Sequence, residues 1–188
     1  MRIVLASSNP HKVKEVNAIV EGLGIEFILP PEGFDPIEDG KTFEENSLIK
    51  AKAAWELGNT WTLADDSGLC IDALGGAPGI HSARYAENPQ ARIDRVLHEL
   101  RDVENRSARF KCCMTLLNPE GEVAFSYTGV CEGSIIKEQR GVNGFGYDPI
   151  FKIEGSELTM AELSEDEKNK ISHRGKALNE VVKYLKNV

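Results

Sequence analysis

Two adjacent carboxylates, Asp65 and Asp66, follow the apolar pair Leu63-Ala64 and precede Ser67-Gly68. In α/β folds ligands gather at strand ends. Side chains alternate along a strand, so these two should point to opposite sides, one towards a ligand and the other towards nearby backbone N–H groups. A carboxylate in this place suits Mg2+, a hard ion that takes one or two carboxylates together with substrate phosphates. An Asx-turn accounts for the same residues without chemistry. A second segment, Ser7-Ser8-Asn9-Pro10-His11-Lys12, joins a strand to the start of a helix. Free N–H groups at a helix start favour an anion. Lys12 adds a cation in a first turn where the helix dipole opposes it. The plain alternative is a capped helix with a solvated lysine, and the G-x-x-x-x-G-K-[ST] spacing of a phosphate-binding P-loop is absent.

Three further features carry polar chemistry. Glu38 lies in an acidic loop before a helix, where a solvated side chain is the ordinary reading. On that helix Glu45, Lys52 and Glu56 share a polar face, while Lys50 lies roughly 140° away, beside Asn46, Ala53, Ala54 and Leu57. A lysine among small apolar neighbours needs a partner or a cleft, unless it snorkels to solvent. In Gly141-Val142-Asn143-Gly144-Phe145-Gly146-Tyr147-Asp148-Pro149, glycines permit close backbone approach and Phe145 and Tyr147 offer stacking faces. Asp148 can accept from the N–H groups of a heterocycle; a hairpin loop is the bland reading. Finally, Lys168, His173, Arg174 and Lys176 crowd the start of the last helix. Cations are misplaced there unless an acceptor lies nearby, and His173 and Arg174 can donate to a carbonyl or a phosphate.

The elements that must hold these residues are legible in outline. A buried strand spans residues 2–6, and a helix runs from Pro10 to Leu23 with Val13, Val16, Val20 and Leu23 as its apolar stripe, capped by Asn9. A strand is expected over 25–29, a loop over 30–41, a helix over 43–57, a strand over 61–64 and a turn at Asp65–Gly68. Asn88-Pro89 opens a helix to about Arg101. Strands over 108–117, 122–127 and 129–136 follow, the first two joined by the loop Asn118-Pro119-Glu120-Gly121. Ser164-Glu165-Asp166-Glu167 matches a capping box, and the last helix covers 172–186 with Leu178, Val181, Val182 and Leu185 inward. A β-α-β opening with antiparallel strands in the middle implies an α/β fold with a mixed sheet.

The chain of 188 residues is long enough for one domain with its own core. Hydrophobic residues make up 41% and charged residues 28%, which excludes a disordered chain. A net charge of −8 argues against general binding to nucleic acid or to an anionic membrane, so phosphates would need local cations or a metal. No apolar run approaches the ~18 residues of a membrane span, and the opening residues do not form a signal sequence. Cys70, Cys112, Cys113 and Cys131 lack C-x-x-C spacing and read as reduced, buried thiols of a cytoplasmic protein.

In order along the whole chain, these segments resemble the inosine triphosphate pyrophosphatase family, the XTP/dITP diphosphatases. The carriers are Ser7–Lys12, Thr42-Phe43-Glu44-Glu45-Asn46 with Lys50, Ala64–Leu69, Gly75–Gly79, Ser82-Ala83-Arg84-Tyr85, Gly144–Phe151 and Ser172-His173-Arg174-Gly175. Ser8 stands where many members carry Gly, and Ser47 where Ala is frequent. The resemblance implies a mixed twisted sheet flanked by helices, in one domain of two lobes with the active-site cleft between them. It implies Mg2+-dependent hydrolysis of ITP, dITP and XTP to the monophosphate and pyrophosphate by a homodimer, cleansing the nucleotide pool. By position, Glu38 and Asp66 would hold Mg2+, with Asp66 also taking the proton of the attacking water. Ser7 to Lys12, Lys50 and Ser67 would hold the triphosphate. Phe145, Gly146, Tyr147, Asp148, Lys168, His173 and Arg174 would bind the rest of the nucleotide, with Phe145 or Tyr147 stacked on the base. The rivals are a pyrophosphatase for other damaged nucleotides and a nucleotide-binding module without turnover.

Overall fold

Alternation along short apolar strands builds the fold in the computed structural model, which describes residues 1–188. The strands are β1 (Arg2–Leu5), β2 (Glu26–Ile28), β3 (Thr62–Ile71), β4 (Ser107–Leu117), β5 (Val123–Ile135) and β6 (Phe151–Ile153). The helices are α1 (Pro10–Ile19), α2 (Phe43–Gly58), α3 (Pro89–Glu99), α4 (Glu165–Ile171) and α5 (His173–Leu185). All strands join one six-stranded sheet in the order β2-β1-β3-β4-β5-β6. β1 runs parallel to β2, with Ile3 opposite Phe27, and parallel to β3, with Val4 opposite Thr62. β5 and β6 are antiparallel. The fold is therefore α/β with a mixed sheet.

The chain falls into two compact units, and β3, β4 and β5 supply residues to both. In the first unit (Met1–Asp66, Cys112–Thr128, Ala177–Val188) period-2 alternation sorts the strands into two cores. Ile3, Leu5, Leu63, Met114 and Leu116 face α1 and α5, where Val16, Val20, Leu178, Val181 and Leu185 meet them. Val4, Ala6, Ala64 and Leu117 face α2, which presents Ala51 and Ala54. Alanine on that helix face lets α2 lie close to the sheet. The second unit (Ser67–Lys111, Gly129–Lys176) has its own core of Leu69, Ile71, Ile93, Val96, Phe110, Ile150 and Phe151.

Several elements depart from the expectations. β3 does not turn at Asp65–Gly68 but runs straight through to Ile71. Asp, Ser and Gly favour turns locally, yet ion pairs on both sides of the strand and the sheet ladder prevail. The two strands expected over 122–136 are one, with Thr128 and Gly129 inside β5. Gly133 of β5 has no room for a side chain, because a Cβ would strike the Lys152 carbonyl of β6. β6 itself has too short an apolar run to stand out. α1 ends at Ile19, and Leu23, expected in its stripe, is 41% exposed; Gly22 and Gly24 take positive φ and reverse the chain.

Ala54 is fully buried in the seam between α2 and the sheet. Ala54→Leu overpacks that seam, with an expected loss of about 1–3 kcal/mol, read from urea denaturation. A variant as stable as the parent would show that α2 is not held at close contact.

Candidate functional site

The polar residues gather in two clusters, one in each unit. The first grows from the head of α1. Asn9 caps the helix, its Oδ1 accepting the His11 N–H at 3.0 Å, while the Asn9 N–H donates to Ser7 Oγ at 3.1 Å. Pro10 occupies the first helical position, and no acidic residue stands in the first turn. Ser8, Asn9, Pro10 and His11 are exposed. The open end of α1 keeps its affinity for anions.

Alternation along β3 then does what the paired aspartates suggested. Asp65 points to the α1 side, where it is buried and ion-paired with Lys12. The Cys112 thiol lies 3.9 Å from its Oδ2. Asp66 points to the α2 side. Lys50, half-buried on α2, sits 3.0 Å from Glu38 and 3.5 Å from Asp66. Lys50 thus has carboxylate partners rather than snorkelling, and Glu38 is drawn out of its solvated-loop reading. Asp65 has Lys12 as an ion-pair partner. Ser67 continues β3, half-buried.

Three carboxylates therefore meet two ammonium groups. Burial opposes the Lys50 charge, but Asp65, Asp66 and Glu38 together hold its pKa above the ordinary lysine value. Burial pushes the Asp66 carboxyl up to about 6, with Glu38 and Asp65 adding to the rise against the pull of Lys50 and a hydrogen bond from the Asn46 amide. Asp66 Oδ2 is buried without a hydrogen-bond partner. An anionic oxygen left so is unfavourable in a protein interior. With Glu38 on the same lysine, this is a donor set that suits a hard divalent cation.

The second cluster surrounds the glycine-rich loop. Gly144 has φ +70°, and a Cβ there would collide with the Asp148 carboxylate. Asp148 Oδ2 accepts the Phe145 N–H at 3.0 Å and pairs with Lys168 Nζ at 2.7 Å, both side chains being buried. That supplies the acceptor which the cations of this region required. The Phe145 ring is 58% exposed, with Lys168 Nζ 4.5 Å and the Arg174 guanidinium 5.7 Å from its centroid. Tyr147 is not a stacking face. It is 6% exposed, its hydroxyl donates to the Ser82 carbonyl at 2.7 Å, and burial pushes the phenol up to about 12. Between the two aromatics Gly146 takes φ +58°.

α5 begins tightly. Ser172 Oγ accepts the Gly175 N–H at 3.0 Å, and a Cβ on Gly175 would strike the Asn169 carbonyl. His173 and Arg174 are both buried in this first turn. The His173 ring stacks on Phe110 of β4 with centroids 4.8 Å apart. Lys176 turns instead to the Val130 carbonyl at 2.8 Å. Residue types alone do not disclose Phe110, which reads as an ordinary core strand residue. Asn46 had a usable signal, one helical turn before Lys50.

The model of the Ham1 family matches residues 3–184. A dITP/XTP pyrophosphatase of Treponema denticola is 48% identical over 195 residues, covering 99% of this chain and 99% of that protein. A dITP/XTP pyrophosphatase of Bacillus subtilis is 48% identical over 190 residues, covering 97% and 96%. The solved structure of a HAM1 protein from Coxiella burnetii matches with a TM-score of 0.91 at 43% identity, covering 100% of each chain.

The environment of Asp66 makes a pH prediction. Its carboxyl rises from 3.8 to about 6 in the folded chain. The folded state therefore holds the proton more tightly, and this contribution to stability is complete below pH 3.8 and lost as the pH rises through about 6. In chelator, the urea midpoint of the parent should fall relative to that of Asp66→Asn between about pH 4 and 6. Midpoints that run parallel across that range would contradict the raised value.

Proposed function

The chain belongs to the Ham1 family, and on that premise we propose that it hydrolyses the non-standard purine nucleoside triphosphates dITP, XTP and ITP to the monophosphate and pyrophosphate. Mg2+ is the proposed cofactor and removal of deaminated purines from the nucleotide pool the proposed role. The observation that carries this reading is the lysine–carboxylate set Lys12, Asp65, Glu38, Lys50 and Asp66, with its unpartnered buried Asp66 oxygen. A polyanion needs the lysines, and a divalent cation satisfies the oxygen.

Glu38 and Asp66 would hold Mg2+, which neutralises phosphate charge and acidifies water when bound. Lys12, Lys50 and the open N–H groups of α1 bind the triphosphate and offset the repulsion of an acidic chain. Water attacks, the α–β anhydride breaks, and pyrophosphate leaves with the electron pair. Asp66 takes the water proton. In the second cluster Phe145 supplies the exposed stacking face. Arg174 and His173 donate to the ring carbonyl that hypoxanthine and xanthine carry and adenine lacks. An adenine amine would leave those donors unpaired, at about 1–3 kcal/mol each. Lys168 pairs with Asp148 beside the loop. The resemblance supports a homodimer working in the cytoplasm, and no helix is long and apolar enough to cross a membrane.

The deciding experiment is pyrophosphate release from dITP, XTP, ITP, ATP and GTP, with Mg2+ and with chelator. Mg2+-dependent release from the first three, with little from ATP or GTP, is expected. Equal release from all would discard the base reading, and binding of ITP without release would make the chain a nucleotide-binding module. Asp66→Asn should lower turnover by roughly 10²–10⁴-fold while the circular dichroism spectrum is kept; near-normal turnover would remove Asp66 from both of its roles. Arg174→Ala should lose more activity on ITP than on ATP. An equal loss would place Arg174 on phosphate rather than on the base.

A further inference from the structure

Glu38 and Asp66 come from dissimilar surroundings. Asp66 lies within β3, whereas Glu38 sits in the irregular stretch between β2 and α2. A pair of metal-binding carboxylates needs a fixed separation, and an irregular stretch does not provide one by itself. Two hydrogen bonds button this stretch to the first turns of α2. The Lys41 N–H donates to Glu45 Oε2 at 2.6 Å, on the exposed surface. The Gly40 N–H donates to Asn46 Oδ1 at 2.8 Å. Asn46 is 2% exposed and stands one turn before Lys50. Lys50, the next turn along, pairs with both Glu38 and Asp66. The Asn46 oxygen thus ties the backbone that carries Glu38 to the helix whose lysine meets Asp66. Gly40 fits the role, since a Cβ there would lie 2.6 Å from Asn46 Oδ1.

We propose that Asn46 is a positioning residue that clips the Glu38 segment to α2, opposite Asp66, and so sets the affinity of the divalent-cation site. This rests on the metal role assigned above to Glu38 and Asp66. A neutral acceptor suits the place. Aspartate could accept from Gly40 but would add another anion to Glu38 and Asp66, and alanine would leave the Gly40 N–H without its partner. Neighbouring polar groups act elsewhere, as Ser47 bonds to Thr115 and to the Glu44 carbonyl.

The test is Mn2+ binding to the nucleotide-free protein, read from the paramagnetic resonance signal of the free ion. It is paired with the Mg2+ concentration that gives half-maximal pyrophosphate release from dITP. Asn46→Ala should weaken both by about 10–100-fold, the usual effect of losing a residue that orients a metal ligand. kcat at saturating Mg2+ should change far less. Gly40→Ala crowds the same clip from the other side while keeping every polar group, and should shift Mn2+ binding in the same direction. It decides the matter if Asn46→Ala does not fold. Ser47→Ala should leave Mn2+ binding unchanged. Parent-like binding in both clip variants would overturn the role of Asn46 while leaving the metal site standing. An equal weakening in Ser47→Ala would reduce the effect to a loosened helix and overturn it too. If the parent itself binds no Mn2+, the metal reading of Glu38 and Asp66 fails, and the clip fails with it.

Discussion

The geometry of the first unit depends on one constraint, the two-residue period of β3. Because Asp65 and Asp66 are adjacent in a strand, they cannot share a side. Asp65 meets Lys12 at the head of α1, and Asp66 meets Lys50 on α2. The same period sends Leu63 to the core below α1 and α5 and Ala64 to the core below α2. The packing that positions the helices and the ion pairs of the cluster are thus written in one register. A slip of one residue would exchange both at once. At Asp66 the Lys50 pair offsets only part of what burial takes, and one carboxylate oxygen stays without a hydrogen-bond partner.

The second unit solves a different problem, that of holding a glycine-rich loop with one ring outward. Tyr147 is tied inward through its hydroxyl to Ser82, and Asp148 is locked to Lys168. Between these anchors Phe145 remains open, with two cations near its face. A buried ion pair is weak evidence for stability. Here its effect is directional, since Asp148 also receives the Phe145 N–H and fixes the backbone from which that ring projects.

Much of this was legible in residue order where the signal is local. Asn9, Thr42, Asn88 and Ser164 cap their helices as their types suggest, because a cap needs only the next three residues. The inward face of α5 followed from its spacing. Lys50 was singled out by its apolar surroundings, and the pairing with Glu38 and Asp66 explains it. What escaped depends on distant partners. Asp65–Gly68 has the composition of a turn, and only the lysines and the ladder keep it in a strand. Phe145 and Tyr147 look alike around Gly146, and the carbonyl that buries one of them lies 65 residues away. Phe110 acquires meaning only beneath His173.

The first unit is assembled from separated stretches of chain, the last of them Ala177–Val188. The charged cluster of Lys12, Glu38, Lys50, Asp65 and Asp66 is made before Ser67, but the floor beneath Ile3, Leu5 and Leu63 includes Leu178, Val181 and Leu185 of α5. On a ribosome these paired charges therefore emerge long before the packing that holds their strands is complete. Contacts so far apart in sequence close late and slowly. The nascent chain carries its β-α-β opening with this core covered by α1 alone until α5 is made, a stretch of synthesis in which apolar surface stays open to aggregation.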